Sequence, residues 1–146
     1  MSKEKIVAVS GGFDPIHVGH IRYLKEASKF GKVLVILNTD EWLKEKGHGH
    51  PFYTYEDRKE ILEAIKYVWK VVPQLDNSNT VAYSLQEYKP DIFAKGGDRT
   101  IDNMPECELT ICKKLGIQVI FGVGGYDKPD SSRHIIKRIR DGMNEQ

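Results

Sequence analysis

A chain of 146 residues, 40% hydrophobic and 29% charged, with a net charge of +1, has the make-up of one soluble globular domain. Its near-balanced charge excludes an electrostatic grip on bulk nucleic acid, no apolar run is long enough to cross a membrane, and no signal peptide precedes Ile6. The two cysteines, Cys107 and Cys112, fit neither a disulfide framework nor a zinc site, and read as reduced core thiols of a cytoplasmic protein.

Ile6 to Val9 is a short apolar run and predicts a buried strand. Gly11 and Gly12 follow as a tight turn that lets a ligand approach the backbone. Ile21, Leu24 and Ala27 then recur at helical spacing, with Gly31 as the stop. Val33 to Leu37 predicts a second strand, and the stretch from Asn38 to Pro51 reads as a polar, basic loop. Thr54 with Asp57 three residues on marks a helix start, and Ile61, Leu62 and Ile65 give that helix an apolar face. Val68 to Val72 predicts a third strand ended by Pro73. Val81, Ala82, Leu85 and Tyr88 mark a helix that stops before Lys89-Pro90. Ile92-Phe93-Ala94 is a fourth strand running into Lys95-Gly96-Gly97-Asp98-Arg99. A helix starting near Pro105 and closed by Gly116 precedes a fifth strand, Ile117 to Val123. Gly124 to Asp130 form a loop, and Ser131 or Ser132 caps a last helix carrying Ile135, Ile136 and Ile139.

Five βα units without repeat, linker or low-complexity segment predict a single α/β domain over residues 1–146, a doubly wound, Rossmann-like parallel sheet of five strands. Ligands bind beyond the carboxyl ends of such strands. That rim collects the residues with chemistry to offer: His17 and His20 after strand one, Lys44 and Lys46 after strand two, Lys95 to Arg99 after strand four, and Ser131 to Arg133 after strand five. The two histidines lie three apart at a helix start, where unpaired backbone N–H groups favour an anion. Two imidazoles there suit a phosphate chain. His48-Gly49-His50 reads as an exposed loop pair with no third ligand, so no metal site is expected.

Gly12-Phe13-Asp14 and His17-x-Gly19-His20, in register after the first strand, resemble the signature of the HxGH nucleotidyltransferases. The likeness runs from about Ile6 to Ile139. It implies attack by a phosphate or phosphonate oxygen of an acceptor on the α-phosphorus of a nucleoside triphosphate, with pyrophosphate leaving. His17, His20 and Lys46 are the implied catalytic groups. Gly11, Gly12, Phe13, Asp14, Lys44, Arg58, Lys95, Gly96, Gly97, Asp98, Ser131 and Ser132 join them in the implied nucleotide site. Magnesium is the implied cofactor, helping pyrophosphate depart.

Two subfamily signals disagree. Thr39-Asp40-Glu41-Trp42, Lys46 and the Tyr53 to Lys59 run resemble the glycerol-3-phosphate cytidylyltransferase group, in which the arginine matching Arg58 orders the site. Lys95-Gly96-Gly97-Asp98, and the register of Lys44, resemble the heptose 1-phosphate adenylyltransferase group. Arg133 stands where related chains carry a hydroxyl, and the Arg-Thr-x-Gly before the serine is missing. CMP transfer from CTP to a small phosphorylated acceptor is the first expectation, and adenylyl transfer to a sugar phosphate the second. A non-catalytic nucleotide-binding protein is a third reading, but it predicts a damaged motif. The resemblance also implies a homodimer pairing through Pro51 to Asp57 and neighbouring third-strand residues, where Phe52, Tyr53 and Tyr55 cluster.

Overall fold

The computed structural model describes residues 4–45, 51–97, 100–125 and 132–144. Strands β1 (Ile6–Gly11), β2 (Lys32–Leu37), β3 (Val68–Pro73), β4 (Ile92–Gly96) and β5 (Gln118–Val123) form one sheet in the order β3-β2-β1-β4-β5. Every pairing is parallel. The helices between them are α1 (Val18–Ala27), α2 (Asp40–Glu45), α3 (Tyr55–Glu63), α4 (Ala82–Tyr88) and α5 (Glu106–Leu115), with α6 (Ser132–Asn144) last. The predicted fold and all five predicted strands are present.

Strand alternation sorts the core into two layers. Val7, Val9, Val33, Val35, Leu37, Val71, Ile92 and Ala94 face α1 and α3, meeting Leu24, Ala27 and Leu62. Ala8, Leu34, Ile36, Val72 and Phe93 face α4 and α5, meeting Val81, Leu85 and Cys112. This follows from the handedness of the crossovers. The chain steps outward from β1 to β3, then returns to the other side of β1, and right-handed connections in opposite directions put their helices on opposite faces. The reversal falls between β1 and β4, so a crevice opens between their carboxyl ends.

The turn into β2 requires glycine. Gly31 has φ +156°, and a Cβ there would lie 2.2 Å from the Lys5 carbonyl oxygen. That close approach lets Lys32 N–H donate to Lys5 O at 2.8 Å and starts the β1–β2 ladder. Two details depart from the sequence reading. Residues 40–45 form α2 rather than loop, started by the Thr39 hydroxyl accepting from Trp42 N–H at 3.1 Å. Cys112 is buried, but Cys107 is exposed: its thiol donates to the Thr80 hydroxyl at 3.4 Å, and it is not a core thiol.

One buried thiol and two half-buried tyrosines make the fold sensitive to alkali. Burial pushes the Tyr55 hydroxyl up to about 12, with Glu56 adding to the shift. That hydroxyl has no hydrogen-bond partner among the described residues. Burial, then the Glu108 charge, pushes the Cys112 thiol up to about 11, and burial also raises Tyr88. The native state thus holds protons that the unfolded chain has released, so stability is full below the ordinary thiol pKa and falls as pH rises toward 12. Urea midpoints should decline over this range. Tyr55→Phe should flatten the part of the decline above about pH 10. A Tyr55→Phe curve superimposing on the wild type would refute the assignment.

Candidate active site

The site begins where β1 ends. Gly11 closes the strand opposite Leu37, and its carbonyl accepts from Asn38 N–H at 2.9 Å. Phe13 then takes φ +51°, unusual for a bulky residue, which turns its ring inward. Only 4% exposed, the ring packs against His20 with centroids 4.8 Å apart. Phe13 therefore supports a histidine from behind. Asp14 accepts from Phe52 N–H at 2.7 Å and Tyr53 N–H at 3.1 Å, pinning the segment before α3 to this turn.

His17 and His20 start α1 as a reciprocal capping box. His17 Nδ1 accepts from Gly19 N–H at 3.0 Å, and His20 Nδ1 accepts from His17 N–H at 3.2 Å. The half-buried rings stack with centroids 3.9 Å apart. A ring nitrogen that accepts carries no proton, so each neutral imidazole has its proton on Nε2. The backbone thus selects the tautomer. An imidazole Nε2–H is of the type that donates to phosphate oxygens, and both rings stand at a helix start whose dipole favours an anion.

Arg58 lies beneath this platform. The sequence puts it among the nucleotide-binding residues; the structure buries it, at 1% exposure. Its Nη1 donates to Gly12 O at 2.9 Å and Asn38 O at 2.8 Å, Nε donates to Tyr53 O at 3.1 Å, and Nη2 pairs with Asp40 at 2.7 Å. A guanidinium this deep needs such pairing, and its flat fork serves several directions at once. Arg58 ties the ends of β1 and β2 to the turn before α3, and so shapes the site without lining it.

Lys95 departs from expectation in the same way. Two residues along the strand from Phe93, it projects toward α5 and is 8% exposed. Its Nζ lies 4.5 Å from the Phe93 ring centroid and 3.4 Å from Glu108 Oε1. Gly96 and Gly97 carry the backbone onward to the crevice. Lys44 is exposed on the last turn of α2. Lys46, the His48–His50 pair, Asp98 and Ser131 lie outside the described residues, and Ser132 enters only as the first residue of α6.

Asn38, Asp40, Gln74, Thr80 and Glu108 hold these segments together; Asp40 stands in the Thr39 to Trp42 motif without a role of its own, and the other four stand in none. Two of them did leave a signal. A buried arginine implies a carboxylate, and Asp40 opens the helix ahead of it. Met104, Glu108 and Cys112 recur every fourth residue and are all buried, so Glu108 falls on an apolar stripe.

A stacked histidine pair lies at a helix start beside the reversal point of a parallel sheet, where the helix dipole favours an anion. Residues 8–138 match the family described as cytidylyltransferase-like, and the chain belongs to that family of nucleotidyltransferases. It is 40% identical to the FAD synthase of Pyrococcus abyssi over 139 residues, covering 92% of each chain. It is also 40% identical over 140 residues to the bifunctional protein HldE of Aeromonas hydrophila. That match takes in 94% of this chain and 28% of the relative, so the chain spans little more than a quarter of the HldE proteins it resembles. The lipopolysaccharide core biosynthesis protein of Thermoplasma volcanium superposes with a TM-score of 0.68 at 30% identity, over 86% of this chain and all of that one. No helix among the described residues is long and apolar enough to cross a membrane.

Proposed function

We propose that this protein transfers AMP from ATP to a small phosphorylated acceptor, releasing pyrophosphate. The observation that carries the transfer reading is the capping box that fixes His17 and His20 as paired Nε2–H donors. An acceptor phosphate oxygen attacks the α-phosphorus, and the bond to the β-phosphate oxygen breaks. The nucleophile is already an anion, so the demand is to hold two anions together and stabilise the charge that develops between them. The two imidazoles and the α1 N-terminus do this, with Gly11, Gly12, Gly96 and Gly97 giving backbone access. Lys44, Lys46, Asp98, Ser131 and Ser132 complete the proposed phosphate and sugar contacts. Magnesium enters as the counter-ion of the triphosphate.

ATP is favoured over CTP for two reasons. FAD is FMN joined to AMP, so a relative named FAD synthase is an adenylyltransferase, and HldE carries a heptose 1-phosphate adenylyltransferase domain. The residues that favour CTP have structural work instead: Thr39 caps α2, Thr54 caps α3, and Asp40 pairs with the buried Arg58. These roles do not depend on which base is bound. FMN and a sugar 1-phosphate are the acceptors the relatives suggest. A homodimer is proposed through the segment 51–57, where Phe52 is 61% exposed and Tyr53 43%.

One experiment tests this reading. Pyrophosphate release is measured with ATP, CTP, GTP and UTP, each with magnesium, against FMN, a heptose 1-phosphate and glycerol 3-phosphate. Release with ATP and one of the first two acceptors is expected. Thermal shifts should rank the nucleotides the same way, since a native-state ligand at a hundredfold excess over its Kd adds about 2.7 kcal/mol. Release with CTP alone would replace adenylyl by cytidylyl transfer. A nucleotide shift with no release for any pair would leave a binding protein. Light scattering on the same sample should give twice the 16.7 kDa chain mass, and a monomer would refute the dimer.

A further inference from the structure

We propose that Glu108 is a positioning residue for the nucleotide end of the site. Through Lys95 and the Thr80–Val81 turn, it fixes where β4 ends and where the Gly96-Gly97 turn begins. The proposal rests on the nucleotidyl-transfer reading above.

The sheet does not fix that place by itself. The β1–β4 register runs only from Val7↔Ile92 to Ala8↔Phe93. On the other side, β4 pairs regularly with β5 as far as Ala94↔Ile120, then shifts to Gly96↔Val123. Lys95 therefore sits where one ladder has ended and the other slips. The Tyr23 hydroxyl donates to Ala94 O at 2.5 Å and holds the strand up to that point. Beyond it come two glycines, which have no side chains to anchor the backbone.

The Lys95 side chain supplies the missing hold. Glu108, 3% exposed on α5, presents one carboxylate oxygen to Lys95 Nζ at 3.4 Å. Its other oxygen accepts from the Thr80 hydroxyl at 2.8 Å and from Val81 N–H at 3.1 Å. One carboxylate thus joins the end of β4 to the entry of α4. The link continues across the sheet. Gln74 donates to Thr80 O at 3.2 Å, Asn38 donates its amide to Gln74 Oε1, and Arg58 donates to Asn38 O at 2.8 Å and Gly12 O at 2.9 Å. A polar belt therefore runs beneath the carboxyl ends of the strands, from the histidine turn to the Gly-Gly turn. Stability alone does not call for a buried ion pair, because an apolar pair of similar volume does as well. A satisfied polar network instead selects one arrangement.

The test compares wild type with Glu108→Gln and with the neutral pair Lys95→Met/Glu108→Gln, which removes both charges and keeps an acceptor for Thr80 and Val81. Unfolding midpoints, the KM for nucleotide, kcat, and amide exchange at Gly96 and Gly97 are measured on each. The neutral pair should recover most of the midpoint that Glu108→Gln loses. It should still show a KM raised about tenfold, with kcat changed by less than about threefold. Exchange at Gly96 and Gly97 should quicken about tenfold while β1 and β2 keep their protection. Recovery of both midpoint and KM in the neutral pair would make Glu108 merely structural and overturn the proposal. So would unchanged exchange at the two glycines, whatever the activity. A wild type without nucleotide turnover would count against the transfer reading alone, because the exchange comparison still decides the positioning role. If Glu108→Gln does not fold, the neutral pair carries the comparison.

Discussion

Arg58→Met is expected to cost about 3–5 kcal/mol of folding stability, as when one partner of a buried ion pair is removed. The substitution keeps much of the side-chain volume and removes every donor. The carbonyls of Gly12, Asn38 and Tyr53 lose a partner, and Asp40 loses its cation. Asp40 is partly exposed and also accepts from Tyr55 N–H at 3.2 Å, so its own loss is the smaller part. The Asn38 carbonyl is worse placed, because an unpaired buried acceptor costs about 1–3 kcal/mol, and the part-buried carbonyls of Gly12 and Tyr53 add less. Against a typical domain stability of about 5–15 kcal/mol, the variant sits near the edge of folding. Arg58→Lys should lose almost as much, since one ammonium cannot reach carbonyls from three segments together. Turnover should fall further than the folded fraction, because the freed Gly12 carbonyl belongs to the turn that carries the histidines. Urea unfolding of both variants checks this, and a loss below about 1 kcal/mol in Arg58→Met would mean that the guanidinium is not the hub of the site.

The elements legible in the sequence were those with a repeating pattern. Each strand is an apolar run between turn residues, and α1, α3 and α5 bury residues at helical spacing. Helix α2 escaped because six residues with one buried side chain, Leu43, show no period. The histidine pair was legible because its residue types, its spacing and its place after a strand all agree. Arg58 and Lys95 were legible as important but not as buried. Charge suggests a ligand, whereas depth depends on partners far away in sequence: Asn38 lies 20 residues from Arg58, and Glu108 lies 13 from Lys95. The direction of Lys95 was available, since strand alternation puts it on the face of Phe93. Register slips, such as the one beside Lys95, are set by how two strands meet and leave no mark on either.

The histidines should separate catalysis from folding when their caps are preserved. His17→Asn keeps a side-chain acceptor at the N-cap, where asparagine is among the preferred residues. His20→Gln keeps a side chain able to reach back to the His17 N–H, as in an ordinary capping box. Folding stability should therefore stay within about 1 kcal/mol of wild type for each. Neither replacement restores an imidazole Nε2–H at the edge of the stacked pair, so turnover should drop by about 10²–10³, the usual effect of losing one donor that stabilises developing charge. His17→Ala should show the same rate loss with roughly 1 kcal/mol more lost from stability, because the cap goes too. The contrast between Asn and Ala at one position then measures the cap, and the contrast between Asn and wild type measures the imidazole. If His17→Asn turned over at a near-normal rate, His17 would be only the start of a helix. The charge between the two phosphates would then have to be met by His20 and the groups on the opposite side of the crevice.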